Sequence, residues 1–181
     1  MQGSLQLATE AVTVRVAGLP QPQGSKVGRV LGARATVHGK FAVVEPRVVM
    51  TEQADMAGKV LVGGRLKAWR RTVRAAAFVA WRDAHGDQSP DPWECAVELS
   101  LEFVLPRPDG DWLASGKLRR GARSMPTCKP DLGKLARAVE DALSGVVYRD
   151  DAQVCAYGPT CKRYATQGGA GGVIVTARAL V

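Results

Sequence analysis

One segment, residues 129–165, constrains the fold more than any other part of the chain. Its first half places apolar residues at steps of three and four, which is the periodicity of a helix that buries one face. These residues are Leu132, Leu135, Val139, Ala142 and Leu143. Ser144-Gly145 follows, and glycine is the residue that helices favour just beyond their C-terminus. The pattern predicts a core-facing helix over 132–143 and, after a short apolar link, a strand that begins at Asp150.

The rest of the chain predicts more strands and a second helix. Residues 12–16 and 96–104 alternate apolar and polar side chains, as half-buried strands do, and 173–181 form a last apolar strand after a glycine-rich turn. Residues 65–84 carry a helical apolar stripe. This order predicts a single α/β domain over 1–181, with a mixed β-sheet flanked by two main helices.

Two segments do not fit regular elements. Residues 25–64 and 106–129 are rich in glycine, proline and charge, and we expect both to be loop-rich insertions. Short β-like runs in the first segment leave a hairpin as an alternative. The second leads directly into Asp131, so we expect it to overhang any site there. Trp112 within it would either stack on an unpaired base or anchor the loop, and anchoring is the commoner role.

The charge balance favours a polyanionic partner. The chain has 25 Lys and Arg against 17 Asp and Glu, a formal net charge of +8. Nucleic acid is the first expectation; an acidic membrane surface is less favoured, because no strongly apolar helical face accompanies the bases. No apolar window is long enough for a membrane span, and the N-terminal residues do not form a signal peptide. Four irregularly spaced cysteines predict free thiols in the cytoplasm rather than a zinc site.

Basic residues concentrate in the first helix and in the 106–129 segment. Residues 65–74 hold five bases and no acid, which indicates either a solvated helix face or a face that meets an external anion. Mutual repulsion of the like charges favours the anion, and we expect DNA contact. The residues predicted to bind DNA are Arg70, Arg71, Arg74, Arg119, Arg120, Arg123, Lys129 and Lys134.

Three aspartates are the candidate metal ligands. Asp131 precedes a helix, where it could be an ordinary N-cap or could turn its carboxylate toward a cluster. Asp150 and Asp151 could form a turn, and if they open a strand only one of them readily faces Asp131. Mg²⁺ prefers oxygen ligands, so a group of carboxylates suits this ion. The many cations around them suit a polyanionic substrate. Mn²⁺ is an acceptable substitute.

The 129–165 segment resembles the RusA family of Holliday-junction resolvases. The family motif is matched by Pro130-Asp131, Leu135, Asp141-Ala142-Leu143, Asp150-Asp151, Gln153 and Lys162. A looser likeness covers residues 12–26, an opening strand and its Gly/Pro turn, and residues 66–81, a basic helix with a Trp-Arg step. A long, ordered block of matches of this kind is seldom a chance event.

The resemblance implies a RusA-like fold and an Mg²⁺-dependent endonuclease that nicks four-way DNA junctions symmetrically as a homodimer. It implies a bacterial cytoplasmic location, often for a phage-encoded protein. It favours Asp131 and Asp151 as metal ligands, with Asp150 beside them, and Arg137 and Lys162 as catalytic cations. For Arg137 the alternative is a helical ion pair with Asp141.

Gly133 departs from the family pattern, which has a second aspartate two residues after the first. Another carboxylate, such as Asp150, Asp141 or Glu140, could complete the site. Alternatively, the chain is a weakened relative that only binds DNA, or an engineered variant. The rival functions are therefore a non-catalytic junction-binding protein and a basic nucleic-acid chaperone without preference for junctions.

Overall fold

The computed structural model of the protein describes residues 10–23, 26–38, 41–52, 61–86, 90–167 and 169–180; for 26–38, 41–52 and 61–64 it describes the backbone. The strands are β1 Ala11–Ala17, β2 Lys26–His38, β3 Phe41–Glu52, β4 Ala96–Leu105, β5 Val154–Tyr164 and β6 Gly172–Leu180. The helices are α1 Leu61–His85 and α2 Leu132–Leu143, and short 3-10 turns form at Asp109–Asp111 and Asp151–Gln153. None of the described helices is long and apolar enough to cross a membrane.

The described residues divide into two compact units. One holds the chain up to Gln23 and from Leu66 onward, and contains a four-stranded sheet in the order β1-β6-β4-β5. The pairs β1–β6 and β6–β4 are antiparallel and the pair β4–β5 is parallel, so the sheet is mixed. The other unit spans Gly24–Arg65 and contains the antiparallel pair β2–β3. The predicted mixed α/β architecture with two main helices is confirmed.

Two local predictions need correction. Residues 25–64 were expected to be loop-rich but contain the two long strands β2 and β3, which agrees with the hairpin alternative; glycines and charges within the strands hide the alternation. Asp150 was expected to open a strand, but a 3-10 turn comes first and β5 begins at Val154. Helix α2 has the predicted bounds, because its apolar stripe and the glycine after it both indicate an end at Leu143.

The core lies on one face of the four-stranded sheet. Alternate residues of β1, β4 and β6 are buried, and they share one apolar cluster with Val73 of α1 and Leu135 and Val139 of α2. The strand residues are Val12, Val14, Val16, Val97, Leu99, Leu101, Phe103, Val173, Val175, Ala177 and Ala179. Because both helices share this cluster with the sheet, the side chains of β5 that face the same way lie alongside α2.

An irregularity in β5 aligns two of those side chains. Leu99 pairs with Tyr157 and Leu101 pairs with Thr160, so β5 has one extra residue between these pairs. A Cβ at Gly158 would come within 2.3 Å of the Ser100 hydroxyl, so the close approach there requires glycine. Lys162 pairs with Phe103, which places it on the same face as Tyr157 although the two are five residues apart.

Candidate functional site

The segment in front of α2 is fixed by Lys162. Its Nζ donates hydrogen bonds to the carbonyl oxygens of Cys128, at 2.7 Å, and Pro130, at 2.9 Å. The backbone immediately before Asp131 is therefore fixed, and Asp131 occupies the N-cap position of α2. Its carboxylate makes no capping hydrogen bond, is 56% exposed and lies 3.6 Å from Lys134 Nζ. Asp131 thus has the position of a cap, but its carboxylate faces solvent.

Asp150 and Gln153 close the turn before β5. The Asp150 carboxylate accepts from the Ala152 amide at 2.9 Å, and Gln153 Oε1 accepts from the Asp150 amide at 2.9 Å. Gln153 Nε2 donates to the carbonyls of Trp93 and Cys95, both at 2.8 Å. Asp151 and Gln153 both lie in this 3-10 turn, before β5 begins at Val154. The turn leaves Asp151 exposed.

Glu140 is the carboxylate that the structure associates with Asp151. Burial raises the pKa of Glu140 from its ordinary value of 4.5; the charges of Asp151 and Asp141 raise it further, and Arg137 lowers it. The Tyr157 hydroxyl donates to Glu140 Oε1, and the Tyr148 hydroxyl donates to the Glu140 backbone carbonyl at 3.1 Å. From the sequence, Glu140 was only one of several carboxylates that could complete the metal site. Its neighbours in the fold come from β5 and from the turn before β5, which are distant in sequence.

Burial also raises the pKa of the Tyr148 phenol, and the negative charges of Glu140, Asp151 and Asp141 add to the effect. The phenol therefore stays protonated at neutral pH and remains a hydrogen-bond donor to α2. The charges that act on Glu140 and Tyr148 therefore come from Asp151 and Asp141 and, for Glu140, also from Arg137. Asp131 is not among the main causes of either shift.

The carboxylates do not form a closed metal site. Within the described ranges, no group of three or more His, Cys, Asp or Glu is placed to hold a metal ion. Asp150 is used in its turn, and no contact described by the structure joins Asp131 to Asp151. A Cβ at Gly133 would meet nothing within 4 Å, so the surface beside Asp131 is open at the position of the absent carboxylate. The carboxylates could hold a metal ion only in an open site, in which another molecule supplies the remaining ligands.

Two of the three α1 arginines predicted to bind DNA are engaged within the fold. Arg70 forms an ion pair with Asp141, and Arg74 Nη1 donates to the Ser144 carbonyl at 2.8 Å. Both interactions tie α1 to the C-terminal half of α2. Arg71 is exposed. Asp141 pairs with Arg70, Arg137 is exposed on α2, and the ion pairs described by the structure do not include an Arg137–Asp141 pair.

The segment 106–129 is compact although it has little regular structure. Arg107 lies 3.1 Å from Asp111, donates to the Arg123 carbonyl at 2.8 Å and stacks over the Tyr164 ring at 4.1 Å. Trp112 is half-buried and forms an antiparallel bridge with Leu118, which supports the anchoring role expected for it. The predicted DNA-binding residues of this segment, Arg119, Arg120, Arg123 and Lys129, are all exposed.

Fold and site together define a basic α/β protein with Asp131, Asp151 and Arg137 exposed, and this combination of exposed carboxylates and cations suits a nucleic-acid partner. The model of the endodeoxyribonuclease RusA family matches residues 45–176, and the chain belongs to this family. The match spans α1, α2 and β5 and so contains every residue of the predicted motif, and the predicted family is confirmed. Membership implies a DNA endonuclease of the Holliday-junction resolvase type. No curated protein matches the chain.

Proposed function

We propose that the protein is a structure-selective endonuclease that nicks four-way DNA junctions with a divalent metal ion, Mg²⁺ or Mn²⁺. The observation that carries the proposal is the family match, which includes α2, the turn at Asp150–Gln153 and β5. The exposed cations of the 106–129 segment and of α1 support a DNA substrate, because phosphate contacts supply most of the affinity of such proteins.

In this proposal Asp131 and Asp151 provide the carboxylates for the ion. Mg²⁺ is commonly bound by one or two carboxylates together with substrate phosphates, rather than by a closed protein cage. Since the described residues form no closed group, we propose that DNA phosphate oxygens complete the ligand set. Such an ion would neutralise charge on the phosphate under attack.

Arg137 and Lys162 have different proposed roles. The Arg137 guanidinium is exposed on α2 and its charge acts on Glu140, so it can hold a DNA phosphate there. The Lys162 ammonium is bonded to two carbonyls and positions the segment that carries Asp131. We further propose that the protein works in the cytoplasm of a bacterial cell, as a host or phage gene product. A homodimer would present one site to each of two symmetry-related strands.

A second candidate function is binding of junctions without cleavage. It is favoured by Gly133 and by the lack, among the residues that the structure describes, of a three-carboxylate group for a metal ion. In this case the basic surface persists while the site holds an ion too weakly to act. The open surface at Gly133 allows a direct comparison, because an aspartate there would meet no neighbour within 4 Å of its Cβ.

A nicking assay on a synthetic four-way junction in Mg²⁺ or Mn²⁺ tests both candidates. For a nuclease, Asp131→Asn and Asp151→Asn should each lower the nicking rate at least about 100-fold, since ion-based charge stabilisation is worth several kcal/mol. Asp83→Asn, which changes an exposed carboxylate of α1, should have little effect.

The other outcomes separate the candidates. Junction binding without nicking, together with nicking by Gly133→Asp, would establish the binding function for this chain. Equal affinity for a junction and a linear duplex of the same length, at one salt concentration, would exclude both and leave a general nucleic-acid-binding protein.

A further inference from the structure

Residues 111–119 form a small hairpin within the basic segment before α2. The Leu113 amide donates to the Lys117 carbonyl and the Arg119 amide donates to the Asp111 carbonyl, both at 2.8 Å. The turn closes with the Gly116 amide on the Leu113 carbonyl at 2.8 Å, and Gly116 has a φ of +77°, which favours glycine. These bonds give the hairpin a defined shape without a long strand ladder.

The hairpin is also anchored at its base. Arg107 joins Asp111 by an ion pair, reaches the Arg123 carbonyl and stacks on Tyr164 at the end of β5. Arg119 Nε donates to the Trp112 carbonyl at 3.2 Å, across the two arms. A surface element held in this way is ordered before it meets a partner, so binding does not have to supply the whole cost of ordering it.

The outer surface of the hairpin combines apolar and cationic side chains. Leu113, which lies opposite Lys117, is 42% exposed on one face of the hairpin. Leu118, which lies opposite Trp112, is 47% exposed on the other face, and Lys117 and Arg120 are exposed as well. The Asp111 carboxylate is already paired with Arg107 and so does not neutralise these cations. This surface therefore suits a partner that offers both negative charge and bare apolar faces.

Unpaired or unstacked DNA offers both features, whereas a regular duplex offers mainly its phosphates. Proteins that kink DNA insert leucine and similar side chains between bases, and bases that have left the stack bind apolar or aromatic side chains. At the branch point of a four-way junction the continuous base stack is interrupted, so bases there unstack at a lower cost than bases inside a linear duplex, and phosphates flank them. Its chemistry matches the hairpin better than a linear duplex does.

We propose that this hairpin is the branch-point contact of the protein: Leu113 and Leu118 pack against unstacked bases, and Lys117 and Arg120 hold the flanking phosphates. The inference rests on the proposed function in that the DNA is branched. In this proposal the hairpin causes the preference for junctions, and the preference does not depend on the carboxylates of the proposed metal site. Selectivity for branched DNA should therefore persist in the absence of cleavage.

The test measures binding in Ca²⁺ or without metal, so that nicking does not interfere. A four-way junction carries 2-aminopurine at its branch point, and a linear duplex carries it at a paired position. Packing against an unstacked base should raise 2-aminopurine fluorescence in the junction only. For the protein with Leu113→Ala and Leu118→Ala together, we expect about tenfold or greater loss of junction affinity, a lost fluorescence rise and a duplex affinity within about twofold of the original.

Two control variants sharpen the result. Leu19→Ala removes a leucine that is 54% exposed elsewhere in the chain and should change nothing. Lys117→Gln should weaken junction and duplex alike and lower the salt slope by about one, as the loss of a phosphate contact does. A thermal melt of each variant verifies folding, which exposed substitutions should preserve.

Three results would overturn the proposal. The double leucine variant could keep the junction preference and the fluorescence rise of the original protein, which would place selectivity elsewhere. It could lose junction and duplex affinity equally, which would mean that the leucines only support the hairpin. If the unsubstituted protein shows no junction preference, both this inference and the proposed function fail; in the first two cases the proposed function stands.

Discussion

Lys162 fixes the backbone of the segment that carries Asp131. Its ammonium bridges two backbone carbonyls immediately before Asp131. Lys162→Met should lower the free energy of unfolding by about 1–2 kcal/mol, because it removes charge-assisted hydrogen bonds and leaves a partly buried carbonyl without its donor. The melting temperature should fall by roughly 2–8 °C.

Hydrogen exchange identifies where the Lys162 substitution acts. Amides of residues 128–132 should exchange faster in Lys162→Met, whereas those of β6 should change only as far as global stability does. Lys117→Met is the matched control, since the Lys117 side chain is exposed. If both substitutions had the same small effect on the melting temperature, the anchoring role of Lys162 would be wrong.

Glu140 gives the fold a pH dependence with a defined sign. Its pKa is raised in the folded state, so the folded state favours the protonated form and this contribution is lost as pH rises through the folded pKa. Glu140→Gln keeps an acceptor for Tyr157 and removes the charge. The variant should melt higher than the original protein at pH 7, and the difference should vanish below about pH 4.5, the ordinary value.

Thermal melts from pH 4 to pH 8 test this prediction. Asp83→Asn, at an exposed position of α1, should show no such trend. A gain for Glu140→Gln that is largest at pH 4 would contradict the sign derived above. The charge of Asp151 contributes to the shift, so Asp151→Asn should reduce the gain that Glu140→Gln brings at pH 7.

At the scale of elements, α1 divides its arginines between structure and solvent. Arg70 is paired with Asp141 of α2, while Arg71 is exposed one residue later. Arg70→Gln should therefore lower the melting temperature and, in a double-mutant cycle with Asp141→Asn, show a coupling of about 0.5–1 kcal/mol. Arg71→Gln should leave the melting temperature unchanged and lower the salt slope of DNA binding by about one.

The comparison of these two variants decides between an internal and an external role for adjacent arginines. Thermal melts and junction affinities at several salt concentrations provide both measurements. If Arg71→Gln destabilised the fold, or if Arg70→Gln changed only the salt slope, the division would be wrong. The sequence could not make this distinction, because Asp141 is 71 residues away from Arg70.

The sequence predicts some elements better than others. The difference depends on whether the contacts that form an element are close together or far apart in sequence. Helix α2 follows from its own apolar stripe and glycine stop, and its bounds are as predicted. The turn at Asp150–Gln153 depends on the Trp93 and Cys95 carbonyls, 60 and 58 residues before Gln153, and no local pattern contains them. The extra residue that brings Tyr157 and Lys162 to one face depends on pairing with β4.

For the whole molecule, family membership was predictable because the motif residues are close in sequence. The clustering of Asp131 with Asp151 stays a prediction: the charge of Asp151 helps raise the pKa of Glu140, and no described hydrogen bond or ion pair joins Asp151 to Asp131. One chain carries one copy of each aspartate, so paired nicks on two strands require either two copies acting together or one copy acting twice. The proposed homodimer makes a distinct kinetic prediction for these alternatives.

If two copies act together, sedimentation should give twice the mass of the chain at concentrations where junctions are resolved. A mixture of the original protein with an excess of Asp151→Asn should accumulate junctions nicked in one strand, since most dimers then contain a single competent site. Asp83→Asn in the same excess should still give paired nicks. A monomer that resolves junctions, or paired nicks that persist in the Asp151→Asn mixture, would mean that one copy cuts both strands in succession and that the two-fold symmetry of the junction is not matched by the protein.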